Sequence, residues 1–260
     1  EICWGAGCPS TGTKVYIRAV LSQTRFVVQT ATGGVPSGSG NVSHIKRAFN
    51  SIAAAESGSR DSNHLGNGNL AGNNRRLTWV CYDDGPFVVT GTTTISSNYT
   101  TDGTRYITLT VAGSSDVASG RSQRHRGIAG SGARVVRGGG GSVSMLSVTR
   151  QYTRVEWLEF DGSDVASTDG ILLTAAADYS LVRNVIGHHV RGDGIHVEYS
   201  NPDFNNASDI RNVFVYAYDG DGVHNSGTNT LVRNATFYLG RTTPQSNGLQ
   251  GDTDATTTGW

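Results

Sequence analysis

The sequence is poor in lysine, present only at Lys14 and Lys46, and has a single methionine, Met145, and three cysteines. Its 21 basic and 21 acidic side chains cancel, at a pI near 7.3. A protein that holds nucleic acid through massed phosphate contacts needs clustered positive charge, so a nucleic-acid partner is not expected. Long apolar runs are also missing. Gly, Ser, Thr and Asn interrupt every hydrophobic stretch before it nears the roughly 18 residues of a membrane helix, so no membrane span is expected. Cys3, Cys8 and Cys81 are too few and too unevenly spaced for a zinc site with four ligands in two close pairs. A disulfide is expected instead, either Cys3 with Cys8 or Cys8 with Cys81, and no metal.

What is present points to a folded chain. Aromatic and β-branched residues run along the whole length despite 35 glycines, which a disordered tail would lack. The chain opens at Glu1 without an initiator, and the expectation drawn from this is a secreted, extracellular or cell-surface protein freed of its signal peptide. Residues 1–40 read as a strand-containing extension and linker. Ile45, Ala48, Phe49, Ile52 and Glu56 then fall at helical spacing, with Ser43 as N-cap and Gly58 as stop, which predicts a helix within residues 41–58. Residues 59–76 read as an exposed, Asn-rich insertion, and residues 77–260 as short strands.

Two markers recur in the second half. The first is Val155-Glu156-Trp157, Val182-Arg183-Asn184, Ile210-Arg211-Asn212 and Val232-Arg233-Asn234. The second is Asp169-Gly170-Ile171, Asp193-Gly194-Ile195, Asp221-Gly222-Val223 and Asn247-Gly248-Leu249. A period in the twenties, strand-like throughout, predicts stacked parallel strands. Within such a stack Asn184, Asn212 and Asn234 form a ladder of amides.

The predicted helix, the run Trp79-Val80-Cys81-Tyr82-Asp83-Asp84-Gly85-Pro86-Phe87, and text such as Thr101-Asp102-Gly103-Thr104-Arg105-Tyr106-Ile107 resemble the right-handed parallel β-helix proteins of the pectin-lyase-like type. The likeness is greatest to secreted β-helix repeat proteins of environmental bacteria, over residues 41–250. It implies an all-β, single-stranded right-handed parallel β-helix, a solenoid whose N-terminal end is capped by the helix through Ile45, Phe49 and Ile52. It also implies that an enzyme of this type would use a calcium site beside an Arg or Lys base, or a group of aspartates.

Alternation out of the Asp-Gly bend turns His196 and Glu198 outward, and His224 takes the place of His196 one repeat later, flanked in the row by Leu172 and Gln250. His196, Glu198, Asp221 and His224 are therefore the candidate catalytic set, and the aspartates Asp169, Asp193, Asp219 and Asp221 also serve as bend residues. Arg183, Arg211 and Arg233 form an outward column that asks for anionic compensation, either a ligand or neighbouring carboxylates. The expected function is a structural or adhesive surface protein that self-associates head-to-tail into a homopolymer, through strand material in residues 14–30, and binds polysaccharide. The alternative is a polysaccharide lyase or glycoside hydrolase acting on an acidic polysaccharide, the one reading that calls for calcium.

Overall fold

The computed structural model describes residues 1–4, 13–22, 24–117, 119–165, 169–198, 208–227, 230–238 and 246–251. It forms two compact units, Glu1–Gly68 with Ala112–Ser122, and Asn69–Val111 with Gln123–Trp260. No helix of the described residues is long and apolar enough to cross a membrane.

The first unit is built on an antiparallel sheet of β1 (Ile2–Trp4), β2 (Thr13–Ser22), β3 (Arg25–Gln29) and β4 (Val42–Ile45), ordered β3-β2-β1-β4. Ile2 faces Val15 on one side and Ile45 on the other, and Ile2, Cys3 and Val15 are buried. The strand material of residues 14–30 is thus paired within this sheet. The only α-helix among the described residues is α1 (Ile52–Gly58), shorter than expected. Its N-cap is Ser51, whose hydroxyl accepts from the Ala54 N–H at 3.0 Å, and not Ser43. Ser43 is extended because residues 42–45 pair with β1, and that sheet edge outweighs a helical spacing that used an exposed Ile45. Phe49 stacks on His64, 4.8 Å between ring centroids, within the same unit. Cys3 is disulfide-bonded and Cys81 is a free, buried thiol pushed up to about 12 by burial. Cys8 lies outside the described residues.

The second unit holds the repeats. Its strands are β5 (Leu77–Cys81), β6 (Phe87–Val89), β7 (Thr93–Ile95), β8 (Ile107–Val111), β9 (Arg134–Arg137), β10 (Leu146–Val148), β11 (Thr153–Glu156), β12 (Glu159–Asp161), β13 (Ile171–Leu173), β14 (Leu181–His188), β15 (Ile195–Val197), β16 (Asp209–Tyr216), β17 (Val223–Asn225), β18 (Leu231–Tyr238) and β19 (Leu249–Gly251). All pairings among them are parallel. Six strands form one sheet, β19-β17-β15-β13-β10-β7, and nine form another, β5-β8-β11-β14-β12-β9-β6 with β16 and β18 stacked in turn beyond β14.

This corrects the expected single-stranded solenoid with a capping helix. The described residues make three sheets, one antiparallel and two parallel, and the nine-stranded sheet branches. The first half of β14 pairs with β11 and its second half with β12. The branch point is Asn184, whose left-handed backbone (φ 53°) bends the strand; Asn212 and Asn234 repeat the bend at φ 54° and 49°. Their amides form the expected ladder, Asn212 donating to Asn184 at 3.1 Å and Asn234 to Asn212 at 3.2 Å. The repeat period located the stacked strands, since from β13 to β18 successive strands alternate between the two parallel sheets. Extending one architecture across residues 41–250 was the error, because strand pairing in residues 1–45 leaves no periodic mark. Ile107, Leu109, Val155, Phe160, Ile171, Val182, Ile195, Ile210 and Val223 fill the interior of the second unit.

Candidate functional site

The predicted row exists. Leu172, His196, His224 and Gln250 pair in register across β13, β15, β17 and β19. The two imidazoles lie face to face, 4.8 Å apart and within 2° of parallel. Asp193 Oδ2 sits 3.5 Å from His196 Nδ1 and 3.3 Å from His224 Nδ1, with Asp169 3.9 Å from His196 and Asp221 3.8 Å from His224. Glu198 is not among these carboxylates. It lies half-buried just past β15, where its backbone N–H donates to the Leu173 carbonyl at 2.9 Å.

The aspartates earn their place structurally through their other oxygen. Asp169 Oδ1 accepts the Asp193 N–H at 2.9 Å, Asp193 Oδ1 that of Asp221 at 2.6 Å, and Asp221 Oδ1 that of Asn247 at 2.8 Å. The glycine after each aspartate is required by close approach: a Cβ at Gly170, Gly194 or Gly222 would meet the carbonyl oxygen of the glycine one repeat on. Burial, reinforced by the charge of Asp169, raises the Asp193 carboxyl above the ordinary carboxylate value, although the Asp221 N–H and the two histidines pull the other way. Asp219, by contrast, faces Arg191 at 3.6 Å.

Arg183, Arg211 and Arg233 also fall in register. Carboxylates of the same sheet compensate them: Glu156 lies 2.9 Å from Arg183, and Asp209 lies 2.7 Å from Arg233 and 3.6 Å from Arg211. Their stacking therefore requires no bound anion.

Two groupings escaped the sequence reading. The first surrounds His188 and His189, which lie beyond the Val182-Arg183-Asn184 marker and belong to neither recurring marker. The second half of β14 sets His188 beside Asp161 on β12. Buried Glu159 accepts from His188 Nε2 at 2.9 Å and from the Gly130 N–H at 2.6 Å. Burial pushes the Glu159 carboxyl up, but the hydrogen bonds from His188 and Gly130 outweigh it and hold the group below its ordinary value. Tyr216 stacks on His188 at 4.9 Å, its phenol raised by burial and then by Glu159 and Asp161.

The second grouping is aromatic and cationic. Tyr152 and Tyr179 stack at 5.0 Å and 7°, each on a left-handed residue (φ 55° and 56°), and Tyr179 is 43% exposed. Tyr106, like Tyr152, immediately precedes its strand, and those strands pair at Ile107 and Thr153. Arg154 covers the Tyr106 ring at 3.7 Å and Arg76 approaches it at 4.9 Å. Arg76 also helps line a shallow depression with Asn74, Thr104 and Arg105. Tyr106, Tyr152 and Tyr179 each open a strand-like run, Tyr-Ile-Thr, Tyr-Thr-Arg and Tyr-Ser-Leu, and that was the available signal.

No protein-family model and no curated protein matches this sequence. Among solved structures the chain is similar to one described as "Geobacillus virus E2 - ORF18", at 12% identity and a TM-score of 0.44. The likeness covers 83% of this chain and 46% of that one, and at that score it carries no argument.

Proposed function

We propose that the protein is a structural surface protein that binds an acidic glycan along the Tyr106, Tyr152 and Tyr179 face. The stacked pair Tyr152/Tyr179 beside Arg76 and Arg154 carries this reading. Aromatic faces pack against the apolar faces of sugar rings, and the guanidinium groups supply donors for carboxylates. Neither Arg76 nor Arg154 forms an ion pair among the described residues, so their charge is available to a ligand in a way that Arg183 and Arg233 are not. A disulfide at Cys3 supports a secreted or cell-surface setting. Self-association remains part of the proposal. β18 pairs with β16 alone among the described strands, spans eight residues and has no lysine or proline, and such an edge accepts another strand.

The test is titration calorimetry with oligogalacturonate. Binding should weaken about 3- to 10-fold in Tyr179→Ala and in Arg154→Ala, and stay unchanged in Arg211→Ala. Equal affinity in all four proteins refutes this face. Sedimentation of the native chain should show assemblies that grow with concentration, and a monomer throughout removes the polymer from the proposal.

One observation favours the enzyme alternative: Asp193, raised by burial and set between two histidines, has the makings of a general acid. Depolymerisation of polygalacturonate or alginate, with calcium supplied and lost in Asp193→Asn, would establish it.

A further inference from the structure

The two histidine groupings differ in how their nitrogens are aimed. A ring-nitrogen lone pair lies in the plane of its imidazole, so two face-to-face rings direct parallel lone pairs that never meet on one ion. His196 and His224 are of this kind, with Asp193 already seated at both Nδ1 atoms. His188 and His189 cross at 81°, and their Nδ1 atoms converge to 2.7 Å. Asp161 Oδ1 lies 3.7 Å from His188 Nδ1.

The surroundings prepare these atoms as ligands. Buried Glu159 accepts from His188 Nε2 at 2.9 Å and from the Gly130 N–H at 2.6 Å, and with the His188 proton on Nε2 its Nδ1 is the bare nitrogen. Asp161 is steadied by the Ser163 N–H, 2.9 Å from the same Oδ1. The segment 162–164 is laced to the histidine backbone, Gly162 N–H donating to the His188 carbonyl at 2.9 Å and Asp164 N–H to that of His189 at 3.0 Å. Ser163, Asp164 and His189 all take left-handed backbone, at φ 51°, 59° and 52°. Strain concentrated on three non-glycine residues in one contact is a mark of functional sites.

We infer that Asp161, His188 and His189 bind one divalent transition-metal ion of the zinc type. Ligands at about 2.1 Å around a tetrahedral ion stand about 3.4 Å from one another. The observed separations of 2.7 and 3.7 Å straddle that value, so small side-chain rotations complete the set. Two imidazoles and one carboxylate leave a fourth position for water or an exogenous ligand. The inference is independent of the glycan reading, since it shares no residue with the tyrosine face.

Full-length protein, stripped with chelator and dialysed, should take up one equivalent of zinc at concentrations on the order of 10 µM, read by competition with a chromophoric chelator. Cobalt in its place should give the visible absorption of a four-coordinate nitrogen and oxygen site. Uptake should vanish in His189→Ala and in Asp161→Asn, weaken about 10- to 100-fold in Glu159→Gln, and persist in the His196→Ala/His224→Ala double variant. Thermal melting of each stripped variant identifies those that fold, and Asp161→Asn keeps the volume of the parent. No uptake by the parent chain overturns the inference, as does uptake that survives both His189→Ala and Asp161→Asn or that is lost in the double variant.

Discussion

His196 and His224 hold one position in two successive strands, whereas His188 and His189 are neighbours in the chain, and the geometry of each pair follows from that difference. Repetition in register copies a side chain along the stack with its orientation, so the rings of the first pair are parallel. Adjacency at a strand end, with His189 turned into left-handed backbone just past β14, crosses the second pair. The carboxylates follow suit. Those beside the first pair are bend residues that repeat with it, while Glu159 has no repeated counterpart and is enclosed by Gly130 and His188. Repetition thus builds ladders, and departures from repetition build pockets of convergent groups.

The largest test of this contrast places a methyl group under each pair. Gly162→Ala puts a Cβ into the His189 carbonyl oxygen and the Val190 Cα, and Gly194→Ala puts one into the Gly222 carbonyl oxygen. Each should lower unfolding free energy by about 3 kcal/mol in urea titrations. Gly194→Ala should disturb the stacked rings and leave the crossed pair intact, and Gly162→Ala the converse, as read from histidine NMR shifts.

Acid should separate the pairs next. The Asp193 carboxyl is raised in the folded chain, so it takes its proton there while the unfolded chain is still ionised, and its contribution to stability grows as pH falls through the folded value. Glu159 is lowered, so its contribution is full above the unfolded carboxylate value and is lost as pH falls through the folded one. Urea midpoints followed from neutral pH downward should therefore decline more steeply in Asp193→Asn than in the parent, and less steeply in Glu159→Gln. Parallel curves for all three would remove the distinction between the two carboxylates.

The smallest effect concerns the repeat alone. Asn212→Gly keeps the left-handed bend and deletes two amide hydrogen bonds of the ladder, which should cost about 1 kcal/mol in the same titrations. Arg211→Ala should cost less than about 1 kcal/mol, because its carboxylate partner is shared with Arg233 and partly exposed.

Legibility in the sequence tracked the same division. The His196/His224 row, the Asn ladder and the Arg column could be read because equivalent residues recur at a steady interval, and alternation fixes which of them face outward. Glu159, His188 and Asp161 come together because β14 continues beyond its bend to meet β12, a pairing without a repeated sign. In the first unit β2 and β3 lie within the stretch read as strand-containing, whereas β4 was hidden for a related reason. Antiparallel partners need only alternate, and the apolar spacing from Ile45 to Glu56 satisfied a helix equally well until β1 claimed residues 42–45.

The aspartate bends have one more consequence. Successive links between Asp169, Asp193, Asp221 and Asn247 bridge 24, 28 and 26 residues, yet each is the same carboxylate-to-amide contact within 2.6–2.9 Å. The molecule keeps count at its bends and not along its chain. The sequence between two bends is therefore free to lengthen or shorten without shifting the strands on either side, and insertions there are the natural places to graft new loops onto this frame.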